Sequence, residues 1–502
     1  MEKFLAAVEK VNSAVNNVVW GVPALVLLIG TGILITILTK FFQFTRFGHV
    51  IKETVGSLFK KKDILKSSDK KSISQFQALC TALSATIGTG NIVGIALAIT
   101  MGGPGAVFWM WVAAIFGMMT NYAENVLGIY FRRKNAKGEW AGGAMYYLRD
   151  GLGSYKGFKT IGKILAVLFS IFALMASFGI GNMGQVASIT ESVGAVVTVD
   201  GAEKWLPWVI GIVLMIVGAL VILGGIKRIA RVNEMLVPFM AGFYIIGAIV
   251  IICMNIGQVG PAFAAIFKGA FNMRAASGGI SGAIIAQAIT WGFKRGVFSN
   301  EAGLGSSVMV HSSSNVKEPA IQGAWGIFEV FFDTIIVCTL TALVILTSGV
   351  FDLTTNTAVD GLTKLGLATR AFTESFGAFG GIFMAVAVTL FAFSTVLGWS
   401  HYGTIAWQYL FGTKSVVIYK FIFVGMILVS STINATLAID LSDTFNGLMA
   451  IPNLIGVISL SGLVVKITNN YVARKIKKKT DVKPMYSAFE DIQKMQEESA
   501  EE

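Results

Sequence analysis

The sequence predicts an all-α polytopic membrane protein: eleven transmembrane helices, ten of them in two five-helix repeats of opposite orientation. Three observations predict it. Only 14% of the 502 residues are charged, against about 25% in ordinary soluble domains, and 54% are hydrophobic. The charges are clustered, which leaves uncharged runs at 11–39, 72–123, 164–190, 205–226, 235–267, 275–293, 334–351, 375–413, 421–439 and 444–465. Glycine-rich interruptions then recur at two corresponding places. This balance excludes a disordered chain and argues against an ordinary soluble enzyme.

A spanning helix needs about 20 apolar residues, because it rises 1.5 Å per residue across a layer about 30 Å thick. The runs meet or approach that length. The run 72–123 is too long for one helix, and Gly102-Gly103-Pro104-Gly105 divides it. The predicted spans are A 18–41, B 76–101, C 106–131, D 161–186, E 206–226, F 234–256, G 278–308, H 321–349, I 377–410, J 417–437 and K 444–467. Barrel strands are shorter and alternate at period two, so a barrel is disfavoured. Met1 to Asn17 lacks the basic start, apolar core and small-residue site of a cleaved signal, so A is expected to stay in the membrane.

The net charge of +12 is read as loop asymmetry rather than as a nucleic-acid surface. The A–B loop carries Arg46, Lys52, Lys60, Lys61, Lys62, Lys66, Lys70 and Lys71. The C–D loop carries Arg132, Arg133, Lys134 and Lys137, and the E–F loop Lys227, Arg228 and Arg231. Arg474, Lys475, Lys477, Lys478 and Lys479 follow K. With eleven spans all four segments share one side. The opposite loops hold Glu191, Asp200, Glu203 and Lys204, then Asp440 and Asp443. The amino terminus is therefore expected outside and the carboxyl terminus in the cytoplasm of a multi-pass plasma-membrane protein.

Span B reads Thr81-Ala-Leu-Ser84-Ala-Thr86-Ile87-Gly88-Thr89-Gly90-Asn91-Ile-Val-Gly94. Each interior glycine weakens a helix by about 1 kcal/mol relative to alanine. Opening the helix frees backbone groups, tolerated at membrane depth only where they line a cavity or bind something. Free N–H groups suit a carboxylate, and free carbonyls suit Na⁺ or an ammonium. Gly90 and Gly94 fit close helix packing equally well. In D, Asn182 and Gln185 suit a zwitterion's carboxylate or an interhelical hydrogen bond.

Span G tips the balance, with Gly292-Phe-Lys294-Arg295-Gly296-Val297-Phe298-Ser299-Asn300-Glu301-Ala-Gly303-Leu-Gly305. Lys294 and Arg295 are placed near the outer mouth. Glu301 either pairs with one of them or orients nearby backbone. In H, Glu329 and Asp333 share a helix face, for a proton or cation path or for bonding neighbouring helices. In I, Ser394 and Thr395 offer two hydroxyls to a cation, and Trp399 either walls a pocket or marks an interface. B and G lie five spans apart and so cross in opposite directions, the mark of an inverted-repeat transporter. The organisation is then 1–42 an extra helix, 43–75 a basic cytoplasmic loop, 76–256 the first repeat, 257–277 a connection, 278–467 the second repeat and 468–502 a polar, solvated tail. Cys80, Cys253 and Cys338 read as small apolar residues, and His49, His311 and His401 form no zinc motif.

The runs Ser84 to Gly94, Gly102 to Trp111 with Ala123-Glu124, and Gly296 to Gly305 strongly resemble the alanine or glycine:cation symporter family of bacteria and archaea. Gly179 to Met183 and Val396 to Trp399 are similar too, and the resemblance spans A to K. It implies a leucine-transporter-type fold and uptake of small neutral amino acids, mainly alanine and sometimes glycine, with Na⁺ by alternating access. It implies substrate contacts from Gly88, Thr89, Gly90, Asn91 and Gln185, with Val297, Phe298 and Trp399 closing around a methyl-sized side chain. It implies one Na⁺ near the Thr86 carbonyl, Asn91 and Ser299. A second is implied between the carbonyls of Ser84 and Ile87 and the hydroxyls of Ser394 and Thr395. Na⁺ is the coupling ion and no cofactor is expected. The competing readings are a cation channel using Glu301 and Asp333, and a proton-coupled transporter of another small zwitterion. An intramembrane enzyme lacks any HExxH or GxSxG motif.

Overall fold

The computed structural model describes residues 2–60, 62–67, 69, 71–271, 280–433 and 436–501. Lys61 and Lys70 of the basic A–B loop, the end of the expected 257–277 connection and the first two residues of span G lie outside the described residues. Long apolar runs satisfy their backbone groups internally, so they become helices. Among the described residues, eight helical stretches are long and apolar enough to cross a membrane: Ala7–Leu38, Gly105–Tyr130, Lys159–Gly194, Ala202–Ile222, Ile226–Met254, Pro319–Thr347, Ala378–Phe411 and Thr413–Thr432. Two bent pairs raise this to ten, Gln75–Thr86 with Thr89–Gly102 at 57° and Ile439–Ser459 with Ser461–Ile476 at 59°. Span G contributes the helix Ile280–Asn300. Two short antiparallel hairpins, Arg133–Lys134 with Trp140–Ala141 and Phe351–Asp352 with Thr357–Ala358, sit in loops.

Helix C runs along H, D along I, E along J, and the second half of B along G. In each case a span meets the one five positions later. Small residues allow the closest approaches. A side chain on Gly105 would meet the backbone of Gly269 and Ala270, and one on Gly398 would stand 2.8 Å from Ser84 Oγ.

The segments outside the long spans are also structured. The amino end is helical from Glu2–Val19 before the helix Val22–Leu38 begins. Its polar residues are held by K. Asn16 donates to Asp443 Oδ2 (3.1 Å) and Thr444 Oγ1 (3.0 Å), and the Trp20 indole donates to the Asp443 carbonyl (3.1 Å). The connections after F and H also carry helices, Ile256–Phe271 and Lys364–Phe376. The tail is not simply solvated. Arg474 forms a two-pronged ion pair with Glu318 (2.7 and 2.8 Å), Ala488 N–H donates to the Tyr130 carbonyl (2.9 Å), and Arg133 stacks on Phe489. These partners are remote in sequence, so local charge gave no sign of them.

Span G also breaks later than its glycines suggested. It stays helical to Asn300, unwinds over 301–307, and then makes the single turn Val308–His311. Glu301, Gly303 and Gly305 all have positive φ (55°, 92° and 73°), a backbone that ends a helix and favours glycine. Val297, Phe298 and Ser299 therefore project from an intact helix.

Candidate functional site

The first half of B, Gln75–Thr86, starts in a reciprocal cap in which Ser74 and Gln77 each bond the other's backbone N–H (3.1 Å both). It ends where the chain turns extended at Gly88 and makes one tight turn, Thr89–Asn91. Asn91 holds this break in shape. Its side-chain oxygen accepts the Gly88 N–H at 2.9 Å, and its amide group donates to Asp333 Oδ1 at 2.6 Å.

Asp333 joins three elements. Ser299, on G, donates to its Oδ2 at 2.9 Å, and Thr334 donates to the same oxygen at 2.8 Å. Asn91, Ser299 and Asp333 are all buried. Asp333 stands in the wide-turn segment Phe331–Cys338 of H. Glu329, one turn earlier, serves a different network and accepts from His311 Nε2 (2.9 Å) and Asn121 (3.3 Å). The sequence reading weighed Asp333 but left it out of the site. The signal that marks it is a carboxylate bordering an uncharged run, where a charge is costly without a partner.

A second cluster of oxygens lies between B and I. Thr395 Oγ1 and Ser394 Oγ donate to the Ser84 carbonyl at 2.9 and 3.3 Å, and Asn233 donates to Ser84 Oγ at 2.8 Å. The gap is narrow at Gly88, where a Cβ would stand 2.5 Å from Thr395 Oγ1. Thr86 and Ile87 are buried at the same break. Carbonyl, hydroxyl and carboxylate oxygens in both clusters are the hard donors that a hard cation prefers.

Beside the break lies a cavity of about 440 Å³. Thr89, Gly90, Gln185 and Phe298 line it at the level of the break. Arg295, Lys364, Glu191, Asp440 and Asp443 bring both signs of charge to it. Gln185 Oε1 accepts the Thr89 N–H only at 3.5 Å, a long bond that another acceptor can replace.

The structure thus places four of the eight expected substrate residues on the cavity wall. Gly88 and Asn91 lie behind it, bonded to each other. Val297 is turned away into the apolar cluster of Trp20, Leu25 and Phe293, because neighbouring helical positions point about 100° apart. Trp399 is also enclosed behind the wall. Its indole N–H donates to Glu301 Oε1 at 3.0 Å, and its ring fills the space beside Gly181. Glu301 accepts from Ser306 and Trp399, so it pairs with neither Lys294 nor Arg295. Lys294 faces Asp443 at 3.6 Å, and Arg295 stacks on Trp291 and Phe298. Asn182 takes the interhelical role, donating to the Phe423 carbonyl at 2.8 Å.

The model of the "Sodium:alanine symporter family" matches residues 5–485. The "Sodium/alanine symporter AgcS" of Methanococcus maripaludis is 46% identical, over 91% of this chain and 96% of that protein. The "Probable sodium/glutamine symporter GlnT" of Bacillus subtilis is 35% identical, over 93% and 91%. The "Amino-acid carrier protein AlsT" of the same organism is 34% identical, over 92% and 91%. Among solved structures, the crystal structure of MhsT in complex with L-phenylalanine is similar in fold. Its TM-score is 0.52 at 13% identity, covering 80% of this chain and 99% of that one.

Proposed function

We propose, from the premise that this chain belongs to the sodium:alanine symporter family, that it imports alanine, and glycine less well, together with Na⁺ by alternating access. The observation that carries the reading is the meeting of Asn91, Ser299 and Asp333 beside a cavity of about 440 Å³ that runs from the break to the charged groups of the opposite loops. A buried carboxylate surrounded only by neutral donors is costly, and a cation offsets that cost. Na⁺ at Asp333 thus favours the ordered break in B, and the ordered break favours substrate at Thr89, Gly90 and Gln185. Each ligand then raises the affinity for the other by the same factor. The oxygens of Ser84, Ile87, Ser394 and Thr395 form the second Na⁺ site in this reading.

Adding Ile280–Asn300 to the eight long helices and two bent pairs supports eleven spans. The contacts of C with H, D with I and E with J support the 5+5 inverted repeat. The basic loops support an outside amino terminus and a cytoplasmic tail in the plasma membrane. The cavity's Glu191, Asp440 and Asp443 belong to the acidic loops, so it faces outward in this reading.

Purified protein in liposomes should accumulate labelled alanine when an inward Na⁺ gradient is imposed, and not with H⁺ or K⁺ gradients of the same size. Equal uptake without Na⁺ overturns the sodium coupling. Current in the absence of any amino acid would instead support a channel. Phe298 sets the size limit of the cavity wall. Phe298→Ala should raise competition by amino acids one or two methylenes longer by about tenfold relative to alanine, because a methylene is worth about 1–3 kcal/mol. An unchanged order of competitors removes Phe298 from the pocket.

A further inference from the structure

A second cavity lies apart from this site, on the side of the basic loops, partly open, with Lys71, Lys137 and Lys227 exposed at its rim and Lys420 half-buried. The ends of F, I and J, together with residues 71–73 and the C–D loop, surround a cavity of about 240 Å³. Lys71, Lys137, Lys227 and Lys420 line it, with Glu139 as the only carboxylate in its wall. None of the four lysines makes an ion pair among the described residues. Glu139 is engaged by the Asn135 amide at 3.1 Å.

Two of the ammonium groups lie beside glycines. Lys71 Nζ lies 2.6 Å from where a Cβ on Gly138 would stand, and Lys420 Nζ lies 3.6 Å from the same point on Gly225. Both glycines have φ of 75°, which disfavours any replacement. Lys420 is within electrostatic reach of Lys137, of His401 and of the opposing Glu139. His401 borders the cavity, is 4% exposed, and leaves its Nε2 without a hydrogen-bond partner. A buried polar atom without a partner is rare in folded proteins and costs about 1–3 kcal/mol. Gathered like charges call for an occupant rich in acceptor oxygens, and the ring nitrogen adds a donor to it in the tautomer that carries the proton on Nε2.

We propose that this cavity binds a phosphate-type oxyanion, free or as the headgroup of an anionic lipid, between Lys71, Lys137, Lys227, Lys420 and His401. Several donors converging on one small space match the several acceptor oxygens of a phosphate group better than a single-atom halide. Anionic headgroups are also attracted to basic segments next to a membrane.

The test uses the full chain and does not depend on transport. In neutral detergent, inorganic phosphate is titrated against chloride at matched ionic strength, and the thermal midpoint is followed. In parallel, the midpoint is compared between phosphatidylcholine nanodiscs with and without phosphatidylglycerol. Lys137→Gln and Lys420→Gln are measured alongside. The expected result is a saturating rise of about 3 °C in at least one arm, halved or lost in both variants. A rise with inorganic phosphate assigns a free anion, and a rise confined to phosphatidylglycerol discs assigns a lipid headgroup. Identical midpoints in both arms, or a full rise retained in both variants, overturn the proposal.

Discussion

Asp333→Ala is expected to lower Na⁺-driven alanine uptake by about 100-fold or more. The substitution strips the acceptor from Asn91, Ser299 and Thr334 at once. A hydrogen bond to a charged group is worth about 1.5–3 kcal/mol, and 1.4 kcal/mol is a factor of ten. The three losses share one acceptor and will not add. Even so, one of them alone accounts for about tenfold to a hundredfold, before the lost attraction for the cation is counted. Asp333→Asn separates the contributions, because it keeps the shape and removes the charge. Uptake is measured in liposomes, with the thermal midpoint as a check on folding. Wild-type uptake by a folded Asp333→Asn protein would remove the carboxylate from the ion site. Asn91→Ala should also abolish uptake, because it opens the break at Gly88 as well as leaving Asp333.

The second large effect is expected at Gly88. Its φ of −135° is open to any residue, so alanine brings no backbone strain there. The consequence is steric and local. The new methyl would stand 2.5 Å from Thr395 Oγ1 and displace the hydroxyl that reaches the Ser84 carbonyl. Gly88→Ala should therefore raise the Na⁺ concentration for half-maximal uptake by about tenfold, equivalent to about 1.4 kcal/mol of ion binding. The Na⁺ dependence of initial rates at saturating alanine checks this. Adding Thr395→Ser removes a methyl from the crowded partner and should recover part of the loss. An unchanged Na⁺ dependence in Gly88→Ala would argue against a cation between B and I.

Much of the site was open to reading because its chemistry is local. The break in B follows from glycines that weaken a helix and an asparagine that caps the gap, all within Gly88 to Asn91. Ser394 and Thr395 are likewise marked as polar residues in an apolar helix, and they meet the Ser84 carbonyl that the family resemblance implies as their partner. The structure separates neighbours where a side chain's direction matters. Phe298 reaches the cavity and Val297 does not, although the two adjoin in sequence. Trp399 looked like a pocket wall and instead holds Glu301. The helix phase that separates such neighbours depends on where G stops being helical, and positive φ at Glu301 sets that point.

Composition and the spacing of charges alone establish a helical membrane-type chain, and the glycines of B mark where it either opens or packs closely, because burying backbone and charge in lipid restricts what such a sequence can form. Only the tertiary structure shows that Asp333 ties that interruption to G. The bonds that do so join residues 242 and 34 positions apart, through a wide turn in H. Local periodicity carries no information about such partners. The packing of B, G and H against one another decides them.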